Sequence, residues 1–319
     1  MLARGGRVPH HAATPREKDL PMARTSRSAR SIPVAWSALV MLSMVSIAQP
    51  APASPHPTAH LPALAGDHFE QPSRYTDRTY HIHVRLPEAY EAQPDRRWPV
   101  VYVLDGDSLF PLLAPTHLFL HYDVRLPDAI VVGIAYGSFD PAVNKRHVDF
   151  SAPGADTPAD EGGAPAFLDF LREELLPATE ARYRIETTRR VLLGQSRSGY
   201  FVLWSALQAP DLFWGRIASN PALSRDREAL FLPPATPRPP ATEEPRVVLA
   251  SGARDAGFRV VGAQAWYAHW HAHPDRPWAL QLDVLPDGTH AASIGEAYGR
   301  AMRWLFREDI AQAATAAAE

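Results

Sequence analysis

The stretch Val191-Leu192-Leu193-Gly194-Gln195-Ser196-Arg197-Ser198-Gly199-Tyr200 decides how the rest of the chain is read. It opens on three apolar residues of strand character. It passes through small residues and continues as an apolar segment, Gly199–Ala209, stopped by Pro210. Strand, sharp turn and helix with a serine at the turn is the setting of a G-x-S-x-G nucleophile elbow. Such a turn is strained, and bulky Cβ groups beside the serine collide with neighbouring backbone. Gly194 meets that demand on one side. On the other the motif's second glycine is replaced by Ser198, with Gly199 following. The competing reading is an ordinary strand–helix turn with Ser196 as the helix cap.

Outward from this turn, strand-like and helix-like segments alternate. Tyr80–Leu86, Pro99–Leu104, Ala129–Ala135, Arg216–Ser219, Val247–Ser251 and Leu280–Leu285 read as strands. Ala166–Leu176, Val260–Ala272 and Ala291–Arg307 read as helices. Continuous apolar runs such as Pro99–Leu104 suit strands buried on both faces, and the alternation argues for a mostly parallel sheet with helices on both sides. The organisation expected is a leader over residues 1–53, a lead-in over 54–78, one catalytic α/β domain over 79–310 and a tail over 311–319. The Pro-rich stretch Leu232–Pro245 is expected as a surface loop.

A serine hydroxyl needs a base, and the base an orienting carboxylate. The chain supplies both in the order Ser, acid, His. Asp255 follows the strand Val247–Ser251, and His290 follows Leu280–Leu285. Both fall on loops at carboxyl ends of strands, where such sheets place their sites. Asp287 is the nearest competitor to Asp255. Two backbone N–H groups are needed for an oxyanion. They are expected from Arg197 and from Asp107, the latter after the turn Asp105-Gly106. The Arg197 side chain is also a candidate partner for an anionic substrate.

Composition bounds the rest. The 319 residues are 46% hydrophobic and 21% charged, which excludes wholesale disorder, and the net charge of −3 argues against nucleic acid as the main partner. With no cysteine, disulfides, thiolate metal sites and a Cys nucleophile are excluded. Residues 1–53 carry seven basic and two acidic groups, which leaves the remainder at net −8. Arg24, Arg27 and Arg30 precede an uncharged run from Ile32 to Ala48, and Ala51-Pro52-Ala53 follows. This is the pattern of a secretory signal peptide, with Met22 as the natural start. The expectation is export, to the periplasm where there are two membranes, and no stable membrane insertion after cleavage. An uncleaved anchor is the alternative.

The chain resembles the esterase D-type branch of the α/β hydrolases, which includes enterochelin and ferri-bacillibactin esterases. The carrying residues are Val100–Asp107, Asn144–Asp149, Phe167–Pro177 with Tyr183-Arg184, the Ser196 turn, and Asp287–His290. The resemblance implies an α/β-hydrolase fold and a Ser196–His290–Asp255 triad with Asp107 and Arg197 as oxyanion donors. It implies a small-molecule ester as substrate, siderophore lactones among the candidates, and no cofactor or metal. Two departures stand out: Ser198 replaces glycine, and the stretch after Asn220-Pro221-Ala222 lacks the family's aromatic pair. An acyltransferase with the same triad and a non-catalytic binding homologue are the rivals.

Other features read as structural. His269, His271 and His273 at i, i+2 spacing do not share a helix face. His81 and His83 share a strand face but show no third ligand in sequence. Asp156, Asp160 and Glu161 lack the spacing of a calcium loop. Trp266, Tyr267 and Trp270 read as helix core rather than a sugar platform.

Overall fold

The computed structural model describes residues 61–155, 157–223, 228–233 and 243–317. The leader, Asp156 and most of the Pro-rich loop lie outside them. In chain order the strands are β1 (Gly66–Ser73), β2 (Arg78–Arg85), β3 (Trp98–Val103), β4 (Ile130–Ala135), β5 (Ile185–Gln195), β6 (Gly215–Ser219), β7 (Arg246–Gly252) and β8 (Ala279–Leu285). The helices are α1 (Gly106–Val124), α2 (Arg146–Asp149), α3 (Ala164–Phe170), α4 (Leu176–Arg182), α5 (Arg197–Gln208), α6 (Gly257–Ala272), α7 (Ile294–Leu305) and α8 (Arg307–Ala316).

The strands form one sheet in the order β1-β2-β4-β3-β5-β6-β7-β8. β1, β2 and β4 pair antiparallel, and the strands from β4 through β8 are parallel. Alternate residues of the central strands feed two cores. Tyr102 and Leu192 point into one, with α5 and α6 side chains such as Phe201 and Trp266. Val101, Val191 and Leu193 point into the other, with Leu113 of α1 and Tyr298 of α7. Burial on both faces is why these strands read as unbroken apolar runs. The chain leaves β3 for β4 on one side and returns to β5 on the other. The carboxyl ends of β3 and β5 therefore flank the crevice where a doubly wound sheet binds its ligand.

Several elements depart from the sequence reading, among them α8, which runs into the expected tail. β1 lies inside the expected lead-in segment, so the sheet starts earlier than residue 79. It is an edge strand carrying Pro72, and its exposed polar side chains hid it. α1 was not expected, because Pro111 and Pro115 fall inside it. The helix expected over Ala166–Leu176 runs from Ala164 to Arg182 through a π-type turn at Leu171–Leu175. Pro177 has no N–H for the Glu173 carbonyl and crowds it, which the wider turn relieves. β5 starts at Ile185, its first half carrying the polar residues Glu186–Arg190. Among the described residues no helix is long and apolar enough to cross a membrane.

Candidate active site

Ser196 is placed by the collision of β5 with α5. Its φ of 59° and ψ of −115° lie in a region that L-residues rarely occupy. Strain of this kind costs on the order of 1–3 kcal/mol and persists only where surroundings enforce it. They do so here through backbone bonds. The Ser196 N–H donates to the Ser219 carbonyl at the end of β6 (2.9 Å), and its carbonyl accepts from the N–H of Tyr200 (3.0 Å) and Ala222 (2.9 Å). A Cβ on Gly194 would stand 2.4 Å from the Ser198 carbonyl oxygen, and one on Gly199 would stand 3.0 Å from the Ser219 oxygen. The small residues flanking the serine are thus demanded by backbone approach, as the sequence implied.

The Ser196 hydroxyl meets His290 Nε2 at 3.0 Å, and His290 Nδ1 meets an Asp255 carboxylate oxygen at 2.7 Å. With Nδ1–H donating to the carboxylate, Nε2 is left to accept from the serine. The carboxylate that reaches His290 is that of Asp255 rather than Asp287. Burial alone would raise the Asp255 carboxyl. Bonds from His290, the Ala256 N–H (2.6 Å) and Arg259 (3.2 Å) instead hold it below the usual carboxylate value. It is therefore an anion at neutral pH, and its side chain is 3% exposed.

Asp107 and Arg197 sit in the first turns of α1 and α5. N–H groups there have no acceptor within the helix. The Asp107 carboxylate accepts from the backbone N–H of Tyr136 and Gly137 (both 2.8 Å), which fixes the start of α1 against the end of β4. Asp107, Ser196 and His290 open on one cavity of about 460 Å³, whose apolar wall is Leu109, Leu112, Phe139 and Ile294. A second hollow of about 410 Å³ adjoins it, lined by Phe139, Arg146, His147 and Arg197. The Arg197 guanidinium is already paired with Glu161 (2.9 Å) and donates to the His147 carbonyl (3.0 Å).

Comparison with known proteins gives the family. The family model described as "Putative esterase" matches residues 73–279. The chain belongs to that esterase family. It is 34% identical over 167 residues to the ferri-bacillibactin esterase BesA of Bacillus subtilis, covering 47% of this chain and 56% of that one. It is 27% identical over 165 residues to the apo-salmochelin esterase of Escherichia coli O6:H1, covering 49% and 51%. The chain thus spans about half the length of the curated relatives it matches. Among solved structures, a BES protein from Bacillus cereus superposes with TM-score 0.65 at 22% identity, covering 75% of this chain and 94% of that one. The siderophore hydrolase EstB of Aspergillus nidulans gives 0.64 at 22%, covering 77% and 96%. These establish the α/β-hydrolase fold expected from the sequence.

Two side chains that sequence reasoning passed over hold the histidine loop. Gln195 donates from Nε2 to the His290 carbonyl (2.6 Å). Asn220, at φ 40°, donates from Nδ2 to the His290 carbonyl (3.2 Å) and the Ser293 hydroxyl (3.0 Å), and accepts from the Gly252 N–H (2.7 Å). It thereby joins the ends of β6 and β7 to the loop after β8. The signal available was an Asn-Pro pair directly after a buried strand. Of the features read as structural, the tryptophans of α6 are core. Trp266 and Trp270 are fully buried, each donating its indole N–H to the Leu230 carbonyl. His81 and His83 face His68 across the β1–β2 pair. No group of three or more His, Cys, Asp or Glu among the described residues is arranged to hold a metal ion.

Proposed function

We propose that this esterase-family protein is an exported serine esterase that cleaves carboxylic esters through an acyl-enzyme. The observation that carries the reading is the continuous relay from Ser196 through His290 to Asp255 at a strained turn opening on a cavity. Ser196 Oγ attacks the ester carbonyl while His290 Nε2 takes its proton. The carbonyl electrons move onto oxygen, and the N–H groups of Asp107 and Arg197 hold the resulting oxyanion. Collapse expels the alkoxide, which receives the proton from His290. Water then attacks the acyl carbonyl, gives its proton to His290, and the acid leaves as the Ser196 hydroxyl is restored. Asp255 holds the imidazole tautomer and stabilises the imidazolium without taking the proton.

Siderophore-type lactone esters are the substrate class proposed. The support is the names of relatives, ferri-bacillibactin esterase and siderophore enterobactin esterase among them. The hollow beside the cavity offers the rings of Phe139 and His147 to an aromatic group of the substrate, while Arg146 and Arg197 are already paired with Asp105 and Glu161. Export rests on the basic and apolar pattern of residues 1–53.

The test is fluorophosphonate labelling of the protein beside Ser196→Ala, followed by a panel of aryl, feruloyl and trilactone esters with added alcohols. Labelling of the parent alone, with acid as product, is expected. Folded parent that takes no label overturns the esterase reading in favour of a binding protein. Ester products from the added alcohols would make it an acyltransferase. Export is tested by fractionating cells that express the full chain. A product retained in the cytoplasm refutes it.

A further inference from the structure

Ser198 is the residue where this chain departs from its own motif, and the structure gives its hydroxyl a specific job. Ser198 is fully buried. Its Oγ accepts from the Gln195 N–H (2.8 Å), and its one proton has two acceptors in reach, the Gln195 carbonyl (2.9 Å) and, closer and charged, Asp105 Oδ2 (2.6 Å). A bond this short to a carboxylate is of the charge-assisted kind. Asp105 is the residue immediately before α1, at φ 53°, and its carboxylate is gripped from the other side by Arg146 through Nε (2.7 Å) and Nη2 (3.0 Å). A carboxylate at this place in a chain ordinarily turns inward and caps the first N–H groups of the helix. That of Asp105 makes no such bond.

We infer that Ser198 is a positioning residue which, with Arg146, holds the Asp105 carboxylate away from the first turn of α1. The inference rests on the serine-esterase reading above. Two consequences follow from the geometry. The Asp107 N–H, one of the first donors of α1, is left to the substrate oxyanion instead of being taken by its own cap. The turn carrying Ser196 and Arg197 is also tied directly to the turn carrying Asp107, across the gap between β5 and β3. With glycine at 198 the Arg146 grip alone would set the carboxylate, and the two donor groups would be joined only through the sheet. A substitution that looks like mere tolerance of a small side chain becomes a strut between the two halves of the oxyanion site.

The experiment compares the full-length protein with Ser198→Ala, Ser198→Gly, Asp105→Asn and the double variant Ser198→Ala/Asp105→Asn. Each is assayed on a neutral aryl acetate, with inhibition by a trifluoromethyl ketone that forms a tetrahedral adduct. Ser198→Gly restores the residue usual in this motif and so keeps a foldable turn if the alanine variant fails to fold. The expected result is a fall in kcat of about tenfold in both Ser198 variants, below the 10²–10³ lost when an oxyanion donor is removed outright. KM should stay within about twofold, and ketone affinity should fall in parallel with kcat. The double variant should lose no more than the worse single one, since both act through one carboxylate.

Unchanged kcat and ketone affinity in the Ser198 variants would overturn the inference, as would losses in the double variant that multiply. A parent that neither labels nor hydrolyses fails at the earlier step, and both readings fall together. A parent that labels at Ser196, beside Ser198 variants equal to it, removes the strut and leaves the esterase standing.

Discussion

Replacing Gly194 by alanine tests how far the turn is built by backbone contact rather than by the serine's neighbours in sequence. The new methyl carbon would lie 2.4 Å from the Ser198 carbonyl oxygen, 2.5 Å from its carbon and 2.9 Å from the Gly199 nitrogen. All three are backbone atoms, so no side chain can swing aside. Ordinary contact begins at 3.4 Å, so the turn must open by about 1 Å. Neither wall is free to move. Gly194 is held in register with Ala218 of β6, and α5 is buried along most of its length. Forcing one extra methyl into such packing costs about 1–3 kcal/mol. A misplacement of about 1 Å between nucleophile and base costs on the order of 10²-fold in rate. The assay is kcat/KM on an aryl ester together with a urea unfolding curve. Gly295→Ala is the control, because a Cβ there meets nothing within 4 Å and sits in α7. That change, in the first turn of α7, should leave stability and rate near those of the parent. A Gly194→Ala protein with parental rate and parental stability refutes the reasoning.

Asp255→Asn should keep the fold, since the side-chain oxygen that accepts from the Ala256 N–H has the same shape, yet lower kcat by about 10³–10⁴-fold by favouring the wrong imidazole tautomer; a loss under tenfold in steady-state kinetics would remove Asp255 from the mechanism. Burial pushes the His117 imidazole down to about 4 from an ordinary 6.5, while Tyr298 donates to Nδ1 (2.7 Å) and Nε2–H donates to the Pro127 carbonyl (3.2 Å). Between those pH values the unfolded chain binds the extra proton, so stability falls as pH drops from about 6.5 to about 4, by up to about 3 kcal/mol. His117→Gln should flatten that slope in urea midpoints taken at pH 7 and pH 4.5, and an unchanged slope would assign acid sensitivity elsewhere.

How much could be read before the structure depends on which force placed each residue. Ser196, His290 and the strands around them were legible because burial on both faces writes unbroken apolar runs, and because the turns between them use small residues of few kinds. Asp255 was legible by chain order, with Asp287 as competitor; only the three-dimensional path of the loops decided between them. α1 was hidden because its prolines contradict helix propensity. The packing of Leu109, Phe110, Leu113 and Ala114 against the sheet overrides them, and Gly133 makes room for the Phe110 ring. β1 was hidden because an edge strand with a single partner need not be apolar. Asn220 and the Ser198–Asp105 bond were hidden for a third reason. They join segments far apart in the chain, and a lone polar residue carries no trace of a distant partner. In the sequence Ser198 counts only as a small residue in place of glycine, whereas the larger consequence lies in its hydroxyl.

The three members of the relay hang from strands of unequal security. Ser196 ends β5, which is clasped by β3 and β6, whereas His290 follows β8, the last strand of the sheet, paired with β7 alone. Peeling of that margin would leave the imidazole's loop held only by the Gln195 and Asn220 bonds while the serine turn still stood. On warming, turnover should therefore fade before the sheet as a whole gives way, and on refolding it should be the last property to return.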